Sequence, residues 1–244
     1  MSRALPLYSV HAVNTAPDSE NKIHDDRVAA EYGFRGGLVP GVTIYGYMTV
    51  PIVELAPRWL EHGSIQVRFV QPVYDGDVVI VRGLVNDDGS IRVTAEREDG
   101  AVFANGTASL NRTAEPPAGP ELIALPVERP EATRETIVSG APLGTVTDRL
   151  DALEPRRLLQ FSNEVLVRNF KLGPWIHVSS EVNNWSAAQS GEEIRAHARV
   201  HDCFHRKGHE FIVADVALIA NRRRLVQTVR HTAIYRIANA RTPN

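Results

Sequence analysis

The run Leu38-Val39-Pro40-Gly41-Val42-Thr43-Ile44-Tyr45-Gly46-Tyr47-Met48-Thr49-Val50-Pro51-Ile52-Val53-Glu54-Leu55-Ala56 is apolar over a length that raises the question of a membrane span. Pro40, Gly41, Gly46 and Pro51 argue against one, and a helix buried inside a soluble core explains the same composition. We read a helix from about Val42 to Leu55, stopped by Pro57, whose ring supplies no N–H for a further turn. Beyond Gly63 the period changes. Ser64–Val70 and Asp77–Leu84 alternate or are Val-rich, Asp87-Asp88-Gly89 reads as a hairpin turn, and Ser90–Glu96 and Ala101–Leu110 complete an antiparallel set. Upstream, Leu7–Val13 reads as a strand and Asp25–Tyr32 as a short helix whose carboxylates suit its positive N-terminal end. The first part of the chain is therefore expected to be one buried helix against a curled antiparallel sheet, an α+β arrangement.

The second part repeats that order with little identity. Leu158–Phe170 reads as a helix with apolar residues on most faces, followed by strands near Trp175–Trp185 and Glu193–Phe204, a turn at Arg206-Lys207-Gly208, and strands at Phe211–Ala220 and Val226–Ile237. Asp75-Gly76-Asp77 and Ser190-Gly191-Glu192 lead equivalent strands, spaced by the length of a small domain. The expected organisation is an N-terminal half at 1–112, a Pro-rich connector at 113–151 and a C-terminal half at 152–244, each half with its own sheet around a long apolar helix. Thr136–Ser139 is β-prone and is the part of the connector expected to add a strand.

Composition narrows the function classes. With 43% hydrophobic and 23% charged residues over 244 positions, the chain is long enough to bury a substantial core. A net charge of −2 and scattered Lys and Arg offer no basic stripe for nucleic acid. A lone Cys203 and an N-terminus without a basic-then-apolar leader point to a reducing cytoplasm. There is no glycine loop of dinucleotide or P-loop spacing and no Gly-x-Ser-x-Gly elbow, so we expect no cofactor.

Ahead of the apolar run lie Ser19-Glu20-Asn21-Lys22-Ile23-His24-Asp25-Asp26 and then Gly33-Phe34-Arg35-Gly36-Gly37-Leu38-Val39-Pro40-Gly41. An imidazole titrates near neutral pH and can take or give a proton. Glycine amides, above all Gly41 at the start of the buried helix, can face a carbonyl oxygen that gains negative charge. That pairing suits proton transfer beside an oxyanion, such as adding water across a 2-enoyl thioester or removing it. The same residues also have plain structural uses: Asp25 and Asp26 as first-turn charges, and Gly36 and Gly37 as turn formers.

The spacing resembles the MaoC-like acyl-CoA hydratases and dehydratases, which carry Asp-x-Asn-Pro-x-His-x-Asp, a helix, and then Ile-x-His-Gly on a hot-dog fold. Asn21, His24, Asp26 and Gly41 match that pattern; Ser19 stands where the family has its catalytic Asp, Lys22 where it has Pro, and Pro40 where it has His. The resemblance implies a double hot dog acting on an acyl thioester, with coenzyme A as the expected carrier, as a hydratase or dehydratase. His24 would be the acid/base, Asn21 and Ser19 would orient water, Asp26 would support the His or its loop, and Gly41 with Gly37 would hold the thioester oxygen. Asp18 or Glu20 could replace the missing carboxylate, His24 could act without one, or the half could bind thioester without turnover. A non-catalytic binding module or partner subunit, and a hot-dog thioesterase, are the rival readings. The second half lacks an Asn-x-x-His-x-Asp counterpart, so one site per chain is expected, with either a monomer or a homodimer as the assembly.

Outside the motif, Trp175 and His177 are candidate substrate-binding residues in the second half, as are Asn183, Asn184 and Trp185. His201, Cys203 and His205 alternate along a strand, with His209 beyond the turn; no matching ligand pair occurs elsewhere, and no metal site is expected. Arg222-Arg223-Arg224 is a basic hairpin tip, a solvated turn or a contact for coenzyme A phosphates.

Overall fold

A computed structural model describes residues 3–112, 115–116, 121–151 and 154–238. In chain order the elements are β1 (Arg3–Ala4), β2 (Tyr8–His11), a 3₁₀ turn at Lys22–His24, α1 (Asp26–Glu31), α2 (Gly41–Leu55), α3 (Trp59–His62), β3 (Ser64–Phe69), β4 (Val78–Val85), β5 (Ser90–Glu96) and β6 (Val102–Ser109). The second half contributes β7 (Pro142–Arg149), α4 (Pro155–Asn169), β8 (Ile176–Asn184), β9 (Glu193–Arg206), β10 (His209–Ala220) and β11 (Arg224–Arg236).

The eleven strands form one antiparallel sheet in the order β1-β4-β5-β6-β3-β8-β11-β10-β9-β7, with β2 also paired to β4. This corrects the expectation of two separate sheets. Strand β3 pairs with β8, from Ser64 opposite Asn183 to Arg68 opposite Ser179, and the halves thereby share one hydrogen-bonded surface. Pairing removes two open edges that would otherwise need covering. Gly76 and Gly191 adopt φ of 78° and 84° in turns that lead β4 and β9, so the repeat extends to backbone geometry that favours glycine.

Each half sets a fifteen-residue helix against its part of the sheet, and α2 and α4 also pack on each other. Helix α2 is apolar nearly all round, buries Val42, Ile44, Tyr45, Met48 and Ile52, and continues through Pro51 to Leu55. Helix α4 is different from the expectation. It starts at Pro155, whose fixed φ suits a first helical position, and buries Leu158, Leu159, Phe161, Val165 and Leu166 on one face only. Its other face carries Arg157 with Asp148, Asp151 and Glu164 as ion-pair partners.

The connector contains a strand, but not at Thr136–Ser139. Strand β7 at Pro142–Arg149 pairs with β9 and closes the far edge of the sheet. A proline in its first position and Gly144 in its interior hide it from a periodicity reading, and both are tolerable on an edge strand.

Candidate active site

The 3₁₀ turn holds the motif. Asn21 caps it, its Oδ1 accepting from the Ile23 N–H at 3.3 Å, and Asp25 caps α1 by accepting from Val28 N–H at 2.9 Å. Between them His24 sets its Nδ1 at 2.6 Å from the Leu38 carbonyl oxygen. A carbonyl only accepts, so Nδ1 carries the ring proton and Nε2 presents a lone pair. The His24 carbonyl in turn accepts from Asn14 Nδ2 at 2.8 Å.

Gly37 packs against that same carbonyl, where a Cβ built on Gly37 would lie 2.1 Å from the His24 oxygen. Its N–H donates to Asp26 Oδ1 at 2.7 Å. Asp26 thus pins the glycine loop, and the Gly37 amide is engaged instead of facing a substrate. Gly37→Ala is expected to cost about 2–4 kcal/mol, because the loop that orients His24 must move. A chemical-denaturation midpoint within about 0.5 kcal/mol of the parent would contradict this placement.

Asn21 also reaches the other half of the chain. Its Oδ1 accepts from Trp175 N–H at 3.1 Å, and its Nδ2 donates to Trp175 O at 3.0 Å. The same Nδ2 lies 3.3 Å from His24 Nε2. The amide is a clamp between halves that also touches the ring, rather than a free holder of water.

His24, Asn21 and Gly41 line a cavity of about 250 Å³ closed by both halves. Its N-terminal walls are Phe34, Leu38–Gly41, Ile44, the segment 69–73 and Phe103; its C-terminal walls are Asn163, the segment 175–178 and Ile234. Of the described residues on these walls none is Asp, Glu, Lys or Arg, and the titratable ones are His24 and His177. Burial lowers the His24 pKa below that of a free imidazole, against the opposing pull of the Leu38 carbonyl, so the ring is neutral at neutral pH. Ser19 is not on the walls and donates through Oγ to the Asn21 carbonyl at 3.2 Å. Glu20 pairs with Arg129 at 2.8 Å, and neither it nor Asp18 lines the cavity. Trp175 and His177 do.

Gly41 and Val42 begin α2, so their N–H groups have no carbonyl one turn earlier to bond. The His177 ring lies against this end: a Cβ on Gly41 would stand 2.8 Å from His177 Nδ1. His177 Nε2 bonds Ser180 Oγ at 2.8 Å, and Ser180 Oγ bonds His231 Nδ1 at 3.1 Å. Burial, then the neighbouring His231, hold His177 well below its ordinary pKa, and burial lowers His231 to about 3. Both rings are neutral in the folded chain and charge once unfolded.

As pH falls below about 6.5, the unfolded chain binds protons that these rings refuse. Their contribution to stability is complete above that pH and declines by about 1.4 kcal/mol per pH unit per ring, for His231 down to about pH 3. Urea melts from pH 7 to pH 4 should show a shallower loss in His231→Phe than in the parent; parallel curves would contradict neutral burial of this ring.

No family model and no curated protein sequence matches the chain. Solved structures do. Acyl-CoA thioesterase II TesB2 from Mycobacterium marinum superposes with a TM-score of 0.59 at 15% identity, covering 85% of this chain and 93% of that one. A Chloroflexus aurantiacus protein named as a MaoC domain dehydratase gives 0.56 at 12% identity over 97% and 95% of the two chains. A variant of the GphF dehydratase gives 0.59 at 15% identity over 96% and 94%.

The chain has the hot-dog fold. These neighbours span nearly all of it, in agreement with the fold expected from the motif and the strand order.

The other sequence candidates fall outside this cavity. Asn184 donates to Trp59 O at 3.2 Å and accepts from Gln227 Nε2 at 2.9 Å, and Trp185 stacks under the Arg112 guanidinium at 4.0 Å. These residues, with Asn183 opposite Ser64, belong to the seam where β3 pairs with β8. Arg224 Nη2 donates to both carboxylate oxygens of Glu192, at 2.5 and 2.6 Å, and Arg222 lies 3.6 Å from Glu193, so those two cations of the tip are internally paired. His201 pairs with Asp215 at 3.1 Å, and Cys203 Sγ lies 3.8 Å from the Tyr235 hydroxyl. Among the described residues no group of three or more His, Cys, Asp and Glu is arranged to hold a metal ion, and no helix is long and apolar enough to cross a membrane.

Asn163, Ser180 and His231 escaped the sequence reading. Asn163 lines the cavity from α4, and its buried Oδ1 has no hydrogen-bond partner among the described residues. No local pattern distinguishes it from any surface helix polar residue. His231 had a signal: it occupies an inward position between Val229 and Ala233 on β11, where a polar side chain needs a partner.

Proposed function

We propose that the chain adds water to, or removes it from, a 2-enoyl/3-hydroxyacyl thioester, with coenzyme A as the thiol carrier, as a MaoC-like hydratase or dehydratase. The observation that carries this reading is a neutral His24 whose bare Nε2 belongs to an apolar cavity beside the first amides of α2. Apolar walls suit an acyl chain, and a helix N-terminus suits the oxygen that gains charge. Proteins named as a MaoC domain dehydratase and a GphF dehydratase are among the fold neighbours, covered over 95% and 94% of their chains, which is compatible with this choice.

In the hydration direction His24 Nε2 takes a proton from water as the oxygen bonds the β carbon. The alkene pair moves to the α carbon and on to the carbonyl oxygen, held by Gly41 N–H and the ring of His177. The protonated His24 then delivers its proton to the α carbon. One imidazole serves both transfers, so the scheme needs neither Ser19 nor a carboxylate. Asn21 keeps Trp175 and the C-terminal wall in register with His24, and Asp26 keeps the glycine loop closed.

Thioester hydrolysis is the competing outcome, because a thioesterase shares the fold. Incubation with a 2-enoyl-coenzyme A separates the two. Loss of the conjugated absorbance without free thiol supports hydration, whereas stoichiometric thiol release would replace it with hydrolysis, and binding without either product would leave a thioester-binding module.

A further inference from the structure

His177, Ser180 and His231 form a hydrogen-bonded chain that ends on the cavity, with the three residues 6%, 1% and 0% exposed. Its two ends, His177 Nδ1 and His231 Nε2, have no protein partner among the described residues. The two imidazoles also pack in a tilted arrangement, with centroids 4.2 Å apart, and Phe69 meets His177 in an edge-type contact at 4.6 Å. A serine hydroxyl has one proton, so the chain runs in one of two directions.

If Ser180 donates to His231 Nδ1, an N–H is stranded at His231 Nε2 deep in the core and His177 Nδ1 keeps a lone pair. If it donates to His177 Nε2, the lone pair is left in the core and the N–H sits at His177 Nδ1, buried against Gly41 at the start of α2. Buried orphan donors are rarer than under-satisfied acceptors, and of the two ends only that of His177 belongs to a residue of the cavity wall, where a ligand oxygen can come to answer it. The second direction is therefore favoured. It also aims an N–H donor at the space beside Gly41, where the leading amides of α2 already favour negative charge.

We propose that Ser180 and His231 are positioning residues that hold His177 as an Nδ1–H donor toward the carbonyl oxygen of the bound thioester. This rests on the function proposed above and deepens it: His177 supplies the site with an oxyanion donor from the C-terminal half, opposite the base from the N-terminal half. Donor strength at that oxygen is then set by residues that never touch substrate.

Nitrogen-15 spectra of histidine-labelled full-length protein at mildly alkaline pH distinguish protonated from bare ring nitrogens. His177→Gln and His231→Gln assign the two rings by the resonances they remove. The expected result is His177 protonated at Nδ1 in the parent and a mixture of tautomers in Ser180→Ala. Turnover of a 2-enoyl-coenzyme A by Ser180→Ala should fall about tenfold in kcat with KM within about twofold, and Ser180→Thr, which keeps the hydroxyl, should restore both tautomer and rate. A parent His177 protonated at Nε2, or an unchanged Nδ1–H in Ser180→Ala, would overturn the proposal. The spectra need no turnover, so failure of the hydratase reading would show as an inactive parent while the tautomer result is judged separately.

Discussion

His24→Ala is expected to lower kcat/KM for a 2-enoyl-coenzyme A by about 10²- to 10⁴-fold, the usual share of a positioned acid/base. The fold should survive. The ring's one strong tie is its Nδ1–H bond to the Leu38 carbonyl, and losing such a bond costs about 1 kcal/mol. The pH profile offers a second check on the same residue. His24 acts as a base only when neutral, so kcat/KM in the parent should fall as pH drops through its pKa, and burial sets that acid limb below the ordinary imidazole value. An acid limb at or above the ordinary value, or an alanine variant with parental turnover, would remove His24 from the chemistry.

Asn21→Leu is expected to have the largest effect on stability, about 2–5 kcal/mol, with activity falling alongside. The side chain answers both the N–H and the C=O of buried Trp175, and a leucine leaves both unpaired in a space too apolar to solvate them. Because those bonds join residues 154 positions apart, their loss loosens the contact between the halves and moves one wall of the cavity relative to His24. Thermal unfolding of Asn21→Leu and Asn21→Ala checks this; a stability within about 0.5 kcal/mol of the parent would mean the clamp is replaced by something else.

These two residues also mark how far the sequence could be read. The local signals were strong: Ser90–Glu96 is a strand to the residue, α2 begins at Gly41 and ends before Pro57, and Asp87-Asp88-Gly89 turns a hairpin. His24 was legible as a cavity residue because its neighbours in sequence, the glycine loop and the helix start, are also its neighbours in space. Asn21 was legible as important but not in its role, since its partner is the distant backbone of Trp175. The pairing of β3 with β8 is long-range for the same reason, and nothing in either strand's alternation says that the two halves share one sheet. Gly37 shows the converse case. Its proximity to the motif suggested a substrate amide, whereas Asp26 claims its N–H and the His24 carbonyl claims its missing Cβ.

The proposed reaction does without the carboxylate that the MaoC-like motif carries where this chain has Ser19. Ser19 bonds a backbone carbonyl away from the cavity, and the walls hold two neutral imidazoles from opposite halves in place of an acid and a base. His24 is tied through Nδ1 and keeps an unprotonated Nε2 that the Asn21 amide touches at 3.3 Å; His177 is tied through Nε2 and set through Nδ1 against the start of α2. In the proposed complex the acyl carbons lie against Ile44, Phe69 and Phe103, which are among the apolar residues of the cavity wall.

A crystal structure with the saturated thioester butyryl-coenzyme A tests this arrangement most directly. The thioester oxygen should lie about 3 Å from Gly41 N–H and His177 Nδ1, with the α and β carbons against His24 Nε2. A butyryl group seated instead in the groove between Tyr8, Tyr47, Val53 and Arg156, or a thioester oxygen remote from α2 while the cavity stays filled by shifted side chains, would contradict it.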